Sequence, residues 1–404
     1  MGKSRNKNKD KDVYQKKETH DYDSDDDGSV TTYTTCDDMD SLRGDIDNVD
    51  DIIDKLAEHI DNAQHKNAGV RQAALLGVQK SLASEYLPDV VEKYKVTLLD
   101  FITKYIRNKP DEEAQVCAKI LALVAIQIGG EISEDVEDAL AALRIIVADP
   151  TRSVGIRETA ALSLALTSRL ASESDDGIAA SIKATRTAWT SIKNSSKFST
   201  FFHSALSSWC LLLADATGES LNEAIKDQPK IVSFLQADHL DIRIAAGEAL
   251  AYLHEFFADC RPGFRFPNHE HAVELINGLS SEFTKGKTKK DKRIQRYTFR
   301  DISSFMSGRG DCPTVSVKFS SQTLVLDNCA IKLFYDVCCQ ILHGGMMRHL
   351  QSNEFIRDLF DLGPVSNGGD GRTEKMAKMA VYDAADKYRN QVRGRQRDKR
   401  SVLY

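Results

Sequence analysis

The chain has 404 residues, 41% hydrophobic and 28% charged, with a net charge of −6. That is enough for a sizeable core, or for one elongated solenoid plus a small second domain. The mildly negative total excludes a bulk nucleic-acid binder, yet it averages over strong local polarity. Asp21–Asp61 carries fifteen acidic side chains against Arg43 and Lys55, Lys285–Arg300 eight basic ones against Asp291, and Arg372–Arg400 ten basic against four acidic. An acidic front with two basic stretches behind it implies separate partners, or masking of one end by the other.

Residues 1–50 are rich in Lys, Asp, Ser and Thr and poor in large aliphatics, so a disordered acidic and polar head is expected. Its first residues, Met1-Gly2-Lys3-Ser4-Arg5-Asn6, contain no apolar stretch, and a secretory signal is not expected. Asn6 departs from the myristoylation spacing. Asp23-Ser24-Asp25-Asp26-Asp27-Gly28 matches the first half of an EF-hand loop, but position twelve is Thr34 and no amphipathic helices flank it. A solvated acidic tail is the better reading, with Ser24 as a phosphosite for an acidophilic kinase.

From about residue 50 the apolar pattern is helical, and it repeats. Gly69-Val70-Arg71-Gln72-Ala73-Ala74-Leu75, Gly155-Ile156-Arg157-Glu158-Thr159-Ala160-Ala161 and Asp241-Ile242-Arg243-Ile244-Ala245-Ala246-Gly247 align without gaps. Their Val/Ile-Arg pairs stand 86 residues apart, and half of that interval is within the range of armadillo and HEAT units. Residues near 113 and 199 fit the intermediate positions. Five units follow, roughly 50–90, 91–133, 134–176, 177–219 and 220–262. Small residues such as Ala74 and Ala160 let helices approach, and Leu75, Val78 and Leu82 form a burying stripe. The repeated arginine is expected to reach an acidic group or a helix C-terminus in the preceding unit.

Arg261–Pro267, with Pro262, Gly263 and Pro267, breaks the pattern. Helices are then expected from His269 to Leu279 and from Gln295 to Met306. Val315–Phe319 and Thr323–Leu326 alternate as a hairpin. Residues 328–343 read as a helix with Ile331, Phe334, Val337, Cys338 and Ile341 inward, ended by Gly344-Gly345. A further helix spans 346–361, a Gly/Ser/Asn linker 365–371, and Glu374–Arg400 has helical composition. The fold class expected is mostly α. An armadillo/HEAT-like α-solenoid over 51–310 precedes a small mixed C-terminal domain over 311–364 and a linker and basic helical tail over 365–404.

Cys36, Cys117, Cys210, Cys260, Cys312, Cys329, Cys338 and Cys339 make no CxxC pair, which reads as reduced thiols in the cytoplasm or nucleus. No apolar run suggests a membrane span. Gly286-Lys287-Thr288 resembles the end of a P-loop, but Ser281 stands where its first glycine belongs. His269 and His271 lie two apart and face different sides of a helix, unlike a zinc-binding HExxH. Asn194-Ser195-Ser196 is a sequon by pattern alone. No catalytic, cofactor or metal site is expected, and no small-molecule substrate or membrane partner.

The basic stretches remain. A solvated loop or a nuclear localisation signal is the plain reading. Arg393, Arg395, Arg397, Lys399 and Arg400, with Lys387 and Arg389 upstream, form an arginine-rich end of the kind that pairs with phosphate and stacks on bases. Lys287, Lys289, Lys290, Lys292, Arg293, Arg296 and Arg300 form a second candidate phosphate contact.

Lys292-Arg293-Ile294-Gln295-Arg296-Tyr297-Thr298-Phe299-Arg300-Asp301 resembles the "QR..FRD" segment of the interferon-related developmental regulators. Asn353-Glu354-Phe355-Ile356-Arg357-Asp358-Leu359-Phe360-Asp361-Leu362-Gly363-Pro364 is similar to their "NE..R..F.LGP" motif, and Arg397-Asp398-Lys399-Arg400 to their "RDKR" ending. The resemblance implies a regulator without catalysis, in cytoplasm and nucleus. It implies binding to translationally inactive ribosomes through the basic C-terminal segment, or, alternatively, transcriptional co-regulation with deacetylase-containing complexes. Arg393, Arg395, Arg397, Lys399 and Arg400 would face ribosomal RNA, and regulatory proteins would dock on the solenoid.

Overall fold

The computed structural model describes residues 49–192, 195–281, 289–320 and 322–365, without the side chains of Val49, Asp50, Lys289, Lys290 and Lys292. The acidic head with Ser24, the sequon residue Asn194, Gly286–Thr288 and the basic tail lie outside the described residues.

Helices come in pairs: α1 (Val49–Asn62) with α2 (Ala68–Ser84), α3 (Pro88–Asn108) with α4 (Asp111–Ile128), and α5 (Glu137–Ala148) with α6 (Val154–Ala171). Next are α7 (Asp175–Ser191) with α8 (Ser199–Leu213) and α9 (Gly218–Phe234) with α10 (Leu240–Cys260). Local signals start them. Asn67 Oδ1 accepts from Gly69 N at 2.8 Å to cap α2, and Pro88 opens α3, where a missing N–H costs nothing. The break at Arg261–Pro267 does not end the stack. A sixth pair, α11 (His269–Ser281) and α12 (Lys289–Met306), follows, and α12 packs on α10.

The second helices of successive pairs stack on one another as one layer, and the first helices α1, α3, α5 and α7 form another. The repeated arginine locks the pairs in register: Arg71, Arg157 and Arg243 are all buried, at 7%, 6% and 5% exposure. Arg71 donates to His65 O at 2.9 Å and, through both ends of its fork, to the Glu113 carboxylate at 2.7 Å. Arg157 donates to Val147 O at 3.0 Å and lies 4.3 Å over the Phe201 ring. Arg243 donates to Ala237 O at 2.8 Å and to Gln295 Oε1 at 2.7 Å. Each guanidinium thus satisfies carbonyls at or just beyond the end of the first helix of its own pair, then takes a partner from the next pair. The expected direction, toward the preceding unit, is reversed. Because the first pair has none before it among the described residues, Val70 is 40% exposed, whereas its counterparts Ile156 and Ile242 are at 0%.

A third layer covers the second helices. After α12 come an antiparallel hairpin of β1 (Val315–Phe319) and β2 (Gln322–Leu326), pairing Val315 with Leu326 and Phe319 with Gln322. Helix α13 (Cys329–Leu342) then runs back across α10, α8, α6, α4 and α2. Its buried face holds Phe334, Val337, Cys338 and Ile341, as the pattern requires, while Ile331 is only half-buried. The single helix expected over 346–361 is two, α14 (Met346–Ser352) and α15 (Glu354–Leu359), separated by Asn353. Residues 311–364 therefore lie along the solenoid within the same compact unit. Enclosure on both sides explains why α4 and its 3-10 extension, Asp111–Ile132, are long and apolar enough for a membrane span: most of that stretch is buried.

Polar contacts fix the cover in place. Gly345 sits so close to the end of α2 that a Cβ there would lie 1.7 Å from Ala83 O. Gly129, at φ +54°, ends α4 under the Phe355 ring. Asn353 Nδ2 donates to Ile126 O on α4 and to His349 Nδ1, both at 3.0 Å, and its Oδ1 caps α15 through Ile356 N at 2.9 Å. The His349 proton is thereby placed on Nε2, which faces the Leu82 and Ala83 carbonyls without completing a hydrogen bond. Burial lowers the pKa of His349 to about 4. Arg348 pairs with Glu85, and Lys119 contacts His343.

Three outcomes test this packing. Arg71→Ala is expected to cost about 3 kcal/mol in urea unfolding, because Glu113 is left buried and unpaired. A loss under about 0.5 kcal/mol, the size of an ordinary surface change, would refute the clamp. Gly345→Ala is expected to cost roughly 1–3 kcal/mol by overpacking, with hydrogen-exchange protection falling first in α13–α15. The third concerns His349, whose folded pKa lies below the ordinary 6.5. The unfolded chain takes up its proton first, so stability falls as pH drops from about 6.5 to about 4 and is insensitive to this group above that window. His349→Gln flattens this part of the pH profile; an unchanged slope would contradict the assignment.

Candidate nucleic-acid interface

The described part of the basic stretch at 285–300 is carried by α12. Gln295, Phe299, Ile302 and Met306 recur at helical spacing and are buried, while Arg293, Arg296 and Arg300 are exposed on the other side. The buried side is held firmly. Gln295 accepts from Arg243 and donates to Leu279 O at 3.0 Å. Phe299 fills the space above Gly247, where a Cβ would meet its ring at 2.7 Å. This anchoring sets the direction in which the arginines project. The Arg293 guanidinium lies 5.7 Å from the centre of the Tyr297 ring one turn on, which stiffens it without consuming its charge. Asp301 is held above the usual carboxylate range by burial, against the opposing pull of Arg300.

Lys289 and Lys290 open α12 and Lys292 follows in its first turn, so the helix brings these positions together with Arg293, Arg296 and Arg300. Lys287 lies outside the described residues, as do Lys387, Arg389, Arg393, Arg395, Arg397, Lys399 and Arg400. A stripe of cations along one helical face, backed by a rigid core, can contact several phosphates in a row and reads no base by itself.

The second motif, Asn353–Pro364, serves architecture. Arg357 is 1% exposed. It donates to Leu350 O at 2.7 Å, Gly363 O at 2.9 Å, Leu362 O at 3.1 Å, Pro364 O at 3.0 Å and Gln322 Oε1 at 2.9 Å. One side chain thus ties α14, the hairpin and the chain's exit toward residue 365. Phe360 packs on Phe334 and Tyr335, with ring centres 5.3 and 6.1 Å away, and Gly363 turns at φ +71°. Sequence reading assigned none of these roles. An Asn-x-x-x-Arg spacing followed by Leu-Gly-Pro is compatible with a capped helix whose arginine bonds to the turn after it, which is the signal available.

A family model described as interferon-related developmental regulator matches residues 27–307, and one described as interferon-related protein conserved region matches residues 353–401. "Interferon-related developmental regulator 1" of Sus scrofa is 32% identical over 87% of this chain and 82% of its own length. The Homo sapiens protein of that name is 30% identical over the same shares, and "Interferon-related developmental regulator 2" of Mus musculus is 30% identical over 87% and 83%. Among solved structures, a designed armadillo repeat protein in complex with the peptide (KR)4 aligns with 60% of this chain and 99% of its own, at 16% identity and a TM-score of 0.43. The first model spans the repeats and the α12 motif, the second the segment organised by Arg357, and on both the chain belongs to the interferon-related developmental regulator family.

Proposed function

We propose that this protein is a non-enzymatic regulatory adaptor that binds ribosomes through RNA and represses translation. The observation carrying the reading is the outward stripe of Arg293, Arg296 and Arg300 on a helix whose other face is locked into the core. The arginine-rich end at 393–400 supplies a second set of phosphate contacts and would occupy an RNA channel, excluding message or transfer RNA. The covering layer supports the same division of labour. With α13–α15 across the second helices, partners are left α12 and the first-helix layer among the described residues. The protein would act in cytoplasm and nucleus.

A second reading, a nuclear co-regulator of transcription factors and deacetylase-type corepressors, is favoured by the first-helix layer. Val96 on α3 and Ile145 on α5 are 61% and 70% exposed there, and Val96 borders a cleft with Asp100, Lys104, Asp135 and Asp138. In that case the basic runs serve nuclear import.

Sucrose-gradient sedimentation of lysate separates the two. The full-length protein is expected in ribosomal fractions, with binding that weakens steeply as salt rises because phosphate contacts release counterions. Truncation after residue 372 abolishes co-sedimentation, and Arg293→Glu with Arg300→Glu weakens it. A full-length protein that stays at the top at low and physiological salt overturns the ribosome reading. If charge reversal alters only nuclear distribution, the second reading takes its place.

A further inference from the structure

Away from the basic stripe, three ligating side chains from separate segments meet where the covering layer joins α10. Glu255 lies on α10, Cys312 on the stretch entering β1, and Cys329 in the first turn of α13. Their ligand atoms all lie within 4.8 Å of one another, and the two sulfurs are 3.3 Å apart. Both cysteines are half-buried free thiols. Glu255 Oε2 accepts from Cys329 N at 2.8 Å, which holds the carboxylate at the head of α13.

The carboxylate and the two thiols gather around one nearby cation, Lys332, whose charge also acts on Cys329. Burial pushes Glu255 up to about 7, and the Asp259 carboxylate one turn on adds to the rise, against hydrogen bonds from Cys329 N, Ala330 N and the Cys312 thiol. The hydrogen bond with Cys312 and then burial push the Cys329 thiol far up. Lys332 also lies on α13, but it faces Glu248 at 3.2 Å and Asp336 at 3.8 Å. Two sulfurs and one carboxylate oxygen therefore converge on one half-buried spot, a donor set suited to a cation.

We propose that Glu255, Cys312 and Cys329 form a site for one thiophilic divalent cation of the zinc class. Two sulfurs and one carboxylate oxygen select zinc over calcium or magnesium, which prefer oxygen alone. Tetrahedral zinc with bonds of about 2.3 Å to sulfur and 2.0–2.2 Å to oxygen needs its ligand atoms roughly 3.5–4 Å apart. The 3.3 Å between the sulfurs is close to that separation, and the carboxylate lies within 4.8 Å of both. A water would complete the fourth position. Binding releases the two thiol protons and any proton on Glu255 to solvent, with no change of oxidation state. The ion would pin the fifth helix pair, the hairpin approach and the covering helix together. No spaced ligand motif announces it, because the ligands stand at positions 255, 312 and 329.

The test uses the full-length protein, reduced and stripped with chelator, titrated anaerobically with cobalt(II). One equivalent is expected to produce sulfur-to-cobalt charge-transfer absorption and the strong visible bands of tetrahedral cobalt, both bleached by zinc, and zinc should raise Tm. Cys312→Ser and Cys329→Ser lose the bands, whereas Cys260→Ser keeps them. Glu255→Gln still offers a carbonyl oxygen to the α13 amides, so its expected weakening, roughly tenfold or more, reports ligation and not capping. Far-ultraviolet circular dichroism matching the parent shows that each variant folds. The proposal is overturned if folded parent protein gives no thiolate–cobalt spectrum, or if both serine variants retain it. It is equally overturned if oxidised glutathione closes a Cys312–Cys329 disulfide in a protein that takes up no metal.

Discussion

The buried guanidinium of Arg71, repeated at Arg157 and Arg243, is the interaction on which the stack depends. A helix pair leaves carbonyls unsatisfied where its first helix ends, and an arginine reaching back from the second helix meets that need. The same planar fork then faces the next pair, where it meets a carboxylate, an aromatic face or an amide in turn: Glu113, Phe201 and Gln295. Arginine suits this double duty because its donors point in two directions at once and its flat face tolerates an aromatic ring. Donor and acceptor pairs therefore alternate, so the chemically complete unit is two helix pairs. That is why the clearest sequence repeat is 86 residues and not half of it.

Much of this was legible in the residues. The Val/Ile-Arg-x-x-Ala recurrence gave the period, and the Leu75, Val78 and Leu82 stripe named buried positions, all at 0% exposure. What a recurrence cannot give is the partner's address. Arg71 and Glu113 are 42 positions apart, and nothing local to either points to the other. The covering layer was hidden for a related reason. The apolar face of α13 says that Phe334, Val337 and Ile341 must be buried, but not that α4, α6 and α8 do the burying. The break at Asn353 was missed because its side chain caps a new helix while bonding a carbonyl more than two hundred positions away. The candidate interface was half legible: alternation along α12 separates Gln295 and Phe299 from Arg293, Arg296 and Arg300 once the buried side is known.

The covering layer changes what the repeats are for. A bare stack of second helices would offer a long groove to other chains. Here one face of that layer is filled by Phe334, Val337, Ile341, Met346 and Leu350 of the same chain. Specificity toward other molecules must then come from surfaces the cover leaves open, and those surfaces differ in character. Helix α12 presents cations over a rigid core, while the first-helix layer presents isolated apolar side chains beside acidic ones.

The grip of Arg357 on Leu362, Gly363 and Pro364 has a mechanical consequence. It turns the exit of the chain into a fixed mooring. From Pro364 to Arg393 the chain advances 29 residues, so whatever path it takes, the distance spanned is at most roughly 100 Å. The arginines at the far end are confined to a sphere about that mooring. Under the proposed function, a polyanion held by one basic region would leave the other to search a bounded volume instead of bulk solution, so that the two would act as one bivalent ligand through local concentration alone.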